Sequence, residues 1–456
     1  MKLNKIKFYI INLIVIVTIK FLSFDVKSQD LFTTLSKTYS TSPLLKSYRL
    51  KLEAIDEEIA KAQSSKRPKI NLYGTIGTDS TTTVNTSNVE STKNNNPKSV
   101  SIELSQNIYD SGRTKFNLSK NEVLIYAERA NLLNQEQQIL LNATEVYFDL
   151  LASIEIKKLA NNNLQVLDKH YKATVSRYEI GEATSTDLAH SEARFLKAKS
   201  DEIRSRSEVE INKSKYFSIV GIEPPKILNF PEKSFNLPES RKELIEKTLK
   251  GNPLIIQQGF IKKSTFFDLS SAFSELLPTL DLNISAQNAW APNTFFDEYE
   301  NYKMEFKLKI PLYNGGNNYS NVRQKKKQAL QNSKDLDNTI RKELRETEIL
   351  WFNLNSLSSQ IISINSTIKA SKMALEGVKK ETEVGTRTLL DVLDAEQDLL
   401  EEKVEIIKAT KDKFFTTFAL LTKIGKLNAK SLDLSVENYD TTKNYMAVKN
   451  MWLGFE

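Results

Sequence analysis

The chain has 456 residues, 27% charged and 40% apolar, with a net charge of +7 and no cysteine. That composition is not that of a helical membrane protein, and it excludes disulfides, thiolate metal sites, a cysteine nucleophile and a lipid-modified cysteine. The basic excess is interleaved with acids rather than gathered into runs, which argues against nucleic acid as a partner.

Residues 1–7 carry three lysines, residues 8–19 are almost wholly apolar, and Val26-Lys27-Ser28 offers a cleavage point before Gln29. This is the layout of a secretory signal peptide, expected over residues 1–28. No later stretch has the ~18 apolar residues that a spanning helix needs. Residues 43–66 read as a helix through Leu45, Leu52, Ile55 and Ile59, stopped by Pro68.

The period then changes to two. Ile70, Leu72 and Ile76 alternate with polar positions, residues 78–96 have the Thr/Ser/Asn composition of a loop, and Val100, Ile102, Leu104 and Ile108 alternate again. A strand, long loop and strand are expected. The pattern recurs at Leu280, Leu282 and Ile284. A loop with Trp290, Phe295, Phe296 and Tyr299 follows, then Tyr302, Met304, Phe306, Leu308 and Ile310, which alternate with Lys303, Glu305, Lys307 and Lys309. One apolar and one polar face fit a half-buried sheet in a soluble domain. Four such strands with aromatic ends and long polar loops also fit a lipid-facing barrel wall. Strand edges cannot stay unpaired in lipid, and four strands cannot close a barrel. On the membrane reading the chain must therefore oligomerise, with eight, twelve or sixteen strands from two, three or four copies.

After each hairpin the period becomes helical. Residues 113–180 and 317–384 lack proline, and lack glycine apart from Gly377. A helix of that length spans on the order of 100 Å. Leu140, Ala143, Tyr147, Leu150 and Ile154, and later Leu350, Leu354, Leu357, Ile361, Ile364 and Ile368, advance by threes and fours. Leu393, Leu400, Ile407, Phe414 and Leu421 recur every seven residues. This is coiled-coil spacing, with the partner in the same chain or another.

Between the second pair of helical stretches lies Glu383-Val384-Gly385-Thr386-Arg387-Thr388-Leu389-Leu390-Asp391-Val392-Leu393-Asp394-Ala395. Gly385 supplies a helix stop. Thr388 stands three before Asp391, the spacing that caps a new helix. Asp391 and Asp394 share one helical face. An ordinary cap explains Asp391, but Asp394 lies too far in to cap.

The punctuation is duplicated. Gly181, Thr184 and Asp187 precede Gly385, Thr388 and Asp391 by 204 residues, as Tyr109, Gly112 and Gly221 precede Tyr313, Gly316 and Gly425. Pro43 and Pro68 precede Pro253 and Pro278 by 210. The chain is a tandem repeat. The expected division is a first repeat over 29–221, a linker over 222–250, a second repeat over 251–425 and a tail over 426–456.

With Tyr109-Asp110-Ser111-Gly112, Pro311-Leu312-Tyr313-Asn314-Gly315-Gly316 and the Val384–Ala395 stretch, the chain resembles the TolC-type outer-membrane efflux family over about residues 30–432. The resemblance implies a homotrimer in the outer membrane that extends into the periplasm. Its twelve strands form one shared barrel and its long helical hairpins form a periplasmic tunnel. A small mixed domain belts the tunnel midway. The implied work is export, either type I protein secretion or multidrug efflux. The implied partners are a periplasmic adaptor (membrane fusion) protein, an inner-membrane ABC or proton-driven transporter and outer-membrane lipid. Asp391 and Asp394 match the acids of the periplasmic gate, and Arg387, Thr186 and Asp187 match residues that link its helices. Gly112, Gly181, Gly316 and Gly385 match turn glycines. Thr382 stands where the best-known members have a link aromatic, which implies an entrance held by fewer contacts. Residues 439–454 resemble the C-terminal stretch of members serving protein-exporting ABC systems.

Other classes have less support. The only histidines are His170, in the first long helical stretch, and His190, three after Asp187. Asp-x-x-His is half a metal site at most. No phosphate loop or acid-base cluster stands out, so neither an enzyme nor a cofactor or metal is expected. A coiled-coil or adhesin-like surface protein fits the helices but does not require the two alternating hairpins.

Overall fold

The computed structural model describes residues 31–225, 227–231, 237–293 and 297–454. The expected signal peptide, with Phe295 and Phe296, lies outside the described residues. Two short helices, α1 (Leu31–Thr41) and α2 (Pro43–Ser64), lead into strand β1 (Lys69–Ile76). Strands β2 (Asp79–Val84), β3 (Glu90–Asn95) and β4 (Lys98–Tyr109) precede a long helical hairpin, α3 (Arg113–Glu179) and α4 (Ser185–Val220). The second half follows the same plan. Helices α5 (Arg241–Gly251) and α6 (Pro253–Ser274) lead into β5 (Thr279–Trp290) and β6 (Glu298–Lys309), then α7 (Asn317–Glu383) and α8 (Leu389–Lys423). Helix α9 (Lys443–Val448) lies in the C-terminal segment. Both α2 and α6 have 22 residues, start at a proline and are capped, by Ser42 and Asn252. Both α3 and α7 have 67 residues and start after a left-handed glycine, Gly112 or Gly316.

The 78–96 segment is not a loop. Strands β2 and β3 form a second antiparallel hairpin above β1 and β4, with Thr82 opposite Thr92. Threonine is β-branched and suits an extended, exposed ribbon. The Asn85 side chain accepts from Ser87 N and Val89 N, which closes the turn. In the second half Trp290 and Tyr299 belong to the strands and not to the loop between them.

The main sheet runs β1-β4-β5-β6, all antiparallel. Its register puts Leu72, Ile102, Ala286 and Tyr302 in one row and Ile70, Leu104, Ile284 and Met304 in another, on the same face. Most of these apolar side chains are exposed, as are Phe306 and Leu308. The opposite face carries Asn71, Ser101, Glu103, Asp281, Asn283, Lys303, Glu305 and Lys307. Asn107 Nδ2 donates to Asp281 Oδ1 there at 2.7 Å. Among the described residues β1 and β6 each leave one edge unpaired.

The helices show the same one-sidedness. In the half nearer the sheet, α2, α3, α6 and α7 lie side by side in that order. In the far half the order is α4, α3, α8, α7. The outer helices are bare: Leu196, Ile203, Ile211 and Phe217 of α4 are exposed, as are Ile349, Phe352, Ile362 and Met373 of α7. Among the described residues no helix is long and apolar enough to cross a membrane.

The main core sits midway along the long helices. Leu31, Leu35 and Leu45 pack there with Leu140, Tyr147, Phe148, Tyr216, Phe418 and Leu427. Phe148 stacks on Phe230 and Phe414 at 5.9 and 5.4 Å. Tyr147 OH donates to Asn229 O at 2.8 Å, and Thr34 and Tyr216 share a hydroxyl bond of 2.9 Å. The buried Glu343 carboxylate accepts from Lys423 Nζ at 2.8 Å and from Asn252 Nδ2 at 3.0 Å. A side chain on Gly425 would meet Gly251 O at 2.2 Å, so the ends of α5 and α8 approach closely only because both positions are glycine.

Candidate functional site

The site lies at the end of the helices farthest from the sheet, at the two turns. Each long helix stops at a left-handed glycine, Gly181 with φ 79° or Gly385 with φ 82°. Glu182 N then donates back to Arg177 O at 2.8 Å, and Thr386 N to Glu381 O at 2.9 Å. These are Schellman stops, whose glycine sits in the left-handed region where an L side chain would be strained. Each return helix opens with a full capping box. Thr184 N and Oγ1 donate to Asp187 Oδ2 at 3.0 and 2.7 Å, and Asp187 N donates to Thr184 Oγ1 at 3.1 Å. Thr388 and Asp391 repeat this at 2.9, 2.8 and 3.3 Å. Hydrogen bonds from Thr184 hold the Asp187 carboxyl below the usual carboxylate range. Those from Thr388, backbone first, do the same for Asp391.

Arg387 works inside its own hairpin. Its Nε donates to Glu381 Oε2 at 3.1 Å, and its Nη1 stands 3.8 Å from Asp391 Oδ1. Among the described residues no ion pair joins it to Asp187. Thr186 is exposed in the first turn of α4. Thr382 Oγ1 donates to Val378 O at 2.8 Å.

The contacts that tie one hairpin to the other lie one or more turns deeper. Arg194 of α4 donates through Nη2 to Asp394 Oδ1 of α8. Glu396 of α8, nearly buried, accepts from Lys379 Nζ of α7 at 2.7 Å, while His170 Nε2 of α3 stands 3.5 Å from its other oxygen. Burial opposes charge on Glu396, but the His170 and Lys379 side chains outweigh it and keep the carboxyl below its usual range. Leu393 packs with Leu167 and Ala198 of the first hairpin, and Val392 and Leu399 pack with Leu375 of α7. Helix α8 is thus the seam of the bundle. Asp394 is not a free acid in the chain: a guanidinium already sits on it.

Asp391 and Asp394 stand out in the sequence, but Arg194, Lys379 and Glu396 do not, and His170 is legible only as a member of the first long helical stretch. One signal was present. Glu396 falls three after Leu393 and four before Leu400, a seam position of the heptad where an acid requires a partner. Among the described residues no group of acids and histidines could hold a metal ion. His190 is exposed beside Asp187.

The profile of the family described as Outer membrane efflux protein matches residues 34–219 and 244–424, one match per repeat. Outer membrane efflux protein BepC of Brucella suis is 29% identical over 428 residues, covering 94% of this chain and 92% of the relative. Outer membrane protein TolC of Vibrio cholerae is 25% identical, with 90% and 94% covered. The solved Campylobacter jejuni CmeC outer membrane channel superimposes with a TM-score of 0.78 at 16% identity, over 93% of this chain and 90% of that one.

Proposed function

This chain belongs to the outer membrane efflux protein family, and we propose that three copies form the exit duct of a tripartite export system. Membership makes the protein an outer-membrane channel and not an enzyme. The observation that carries the trimer is the pair of open sides. β6 and α7 end one flank of the chain, and β1, α2 and α4 end the other. Two different flanks joined head to tail generate a ring. Three copies close twelve strands, which satisfies every edge in lipid and leaves a water-filled interior. The exposed apolar rows through Leu72 and Met304 then face lipid, and Asn71, Glu103 and Lys307 face the lumen.

In this reading the repeats 29–221 and 251–425 each give one barrel hairpin and one tunnel hairpin. Segment 222–250 and the beginning of 426–456 build the belt. Asp391 and Asp394 ring the narrow periplasmic end, with Asp187, Thr186 and Arg387 at the hairpin tips. The tips are where a periplasmic adaptor docks, with an ABC or proton-driven transporter behind it. The similarity to a relative named an efflux protein supports efflux, and the similarity to one named an alkaline protease secretion protein supports type I secretion. Purified protein added to a planar bilayer tests the duct: discrete cation-selective conductance steps are expected, and assembled protein that never conducts would contradict it. Crosslinking in cells followed by capture of this chain identifies the transporter, and an ABC protein there would favour secretion.

A further inference from the structure

The C-terminal segment is a strap that climbs from the belt to the foot of the barrel. It leaves the core where Ala429 N donates to Glu136 Oε1 at 2.8 Å. Tyr439 N donates to Tyr39 OH at 3.1 Å, and Tyr439 OH donates to Glu53 Oε1 at 2.8 Å. Arg49 lies between the Tyr39 and Tyr439 rings, 4.5 and 5.0 Å from their centres. Asn444 donates to Glu53 O and to the buried Asp56 carboxylate, both at 3.2 Å. At the top, Arg67 Nη1 donates to Met451 O at 2.6 Å and its guanidinium covers the Trp452 ring at 4.7 Å. Between Arg49 and Arg67 the strap follows α2 for roughly 27 Å, at 1.5 Å per residue.

This places Trp452 and Leu453 beside Arg67, two residues before β1 begins. The outward apolar row starts at Ile70, within about 10 Å of Arg67 at strand rise. Trp452 is 66% exposed and Leu453 93% exposed, although a long series of specific contacts holds the segment in place. An indole beside basic side chains, at the end of a lipid-facing strand, is the chemistry of the membrane interface. Lys66, exposed next to Arg67, adds a cation for phosphate headgroups.

We propose that Trp452 and Leu453, clamped by Arg67 at the foot of β1, insert into the periplasmic-leaflet interface of the outer membrane and anchor the belt to phospholipid. The inference rests on the barrel orientation proposed above. Its physical content is continuity: the strap extends the barrel's apolar band downward by one interfacial aromatic per protomer, three per trimer.

The test is tryptophan quenching in vesicles of phosphatidylethanolamine and phosphatidylglycerol with bromine on the upper acyl carbons. The chain has three tryptophans, so a full-length Trp290→Phe/Trp351→Phe variant leaves Trp452 as sole reporter. A second variant, Trp290→Phe/Trp351→Phe/Trp452→Phe with Leu72→Trp, reports on the barrel wall. If either variant fails to assemble, the difference between wild type and Trp452→Phe gives the Trp452 emission. Loss of Trp452 emission in brominated vesicles, abolished as a difference when Arg67→Ala frees the tail, is the expected result. Quenching at position 72 without quenching of Trp452 overturns the anchor and leaves the barrel intact. This includes the outcome in which Trp452 is dry but unquenched, packed on a neighbouring protomer or a partner protein. Lack of quenching at both positions overturns the barrel orientation itself.

Discussion

Replacing Arg194 with alanine should loosen the entrance. The Arg194–Asp394 pair joins α4 to α8 across the two hairpins, with side chains 28% and 54% exposed. A partly exposed pair of this kind contributes ~0.2–1 kcal/mol after solvent screening. Three copies round one axis raise the combined effect to roughly 0.6–3 kcal/mol, which is about a 3- to 150-fold shift toward the open entrance at tenfold per 1.4 kcal/mol. The assay is single-channel conductance in planar bilayers, recorded as the fraction of time in the higher-conducting state. Asp394→Asn should raise that fraction similarly, and the double variant should add little, because both changes remove the same contact. Strictly additive effects, or no change from Arg194→Ala, would refute a clasp between the hairpins.

Three further outcomes follow from the same geometry. Arg194→Ala should also make channel current more sensitive to a trivalent cation added from the periplasmic side, because it uncovers Asp394 carboxylates beside those of Asp391; an unchanged blocking concentration would place Asp394 away from the pore. The Asp187 and Asp391 carboxyls lie below the ordinary value of 3.8 when folded, so their contribution is present above that pH and lost as pH falls through the lower folded values. Amide exchange in the first turns of α4 and α8 should rise at acid pH before the α3 core, and Thr388→Ala should remove that pH dependence from α8 alone. Met304→Lys, in the middle of β6 on the apolar face, should cost about 2–4 kcal/mol in assembly into lipid, read from urea titration of vesicle-bound protein, whereas a lumen-side Asn301→Lys should be near neutral.

Much of the fold was legible because its punctuation is sparse. Thirteen glycines and eleven prolines leave few ambiguous stops, and a constant 204-residue offset between three glycine pairs exposes the repeat. Period-two rows at 70–76 and 302–308 located the sheet, since along each row the apolar residues alternate with polar or exposed positions. The β2–β3 ribbon escaped because threonine and asparagine serve loops and exposed strands alike. At the entrance the capping acids were legible from local spacing. The Arg194–Asp394 and His170–Glu396 contacts were not, since each joins residues about 200 or more apart with nothing local to pair them. The strap was least visible: residues 436–453 have no helical or strand period, and their partners on α1 and α2 lie nearly the whole chain away.

In the proposed assembly one chain is a third of a channel, with a sheet and a tunnel wall that close only against copies of themselves. Light scattering of the detergent-solubilised protein tests it most directly. The expected protein mass is three times that of one chain, 52.0 kDa over the full sequence, with the β signal retained. A folded monomer with intact β signal, stable in the same detergent, would contradict it.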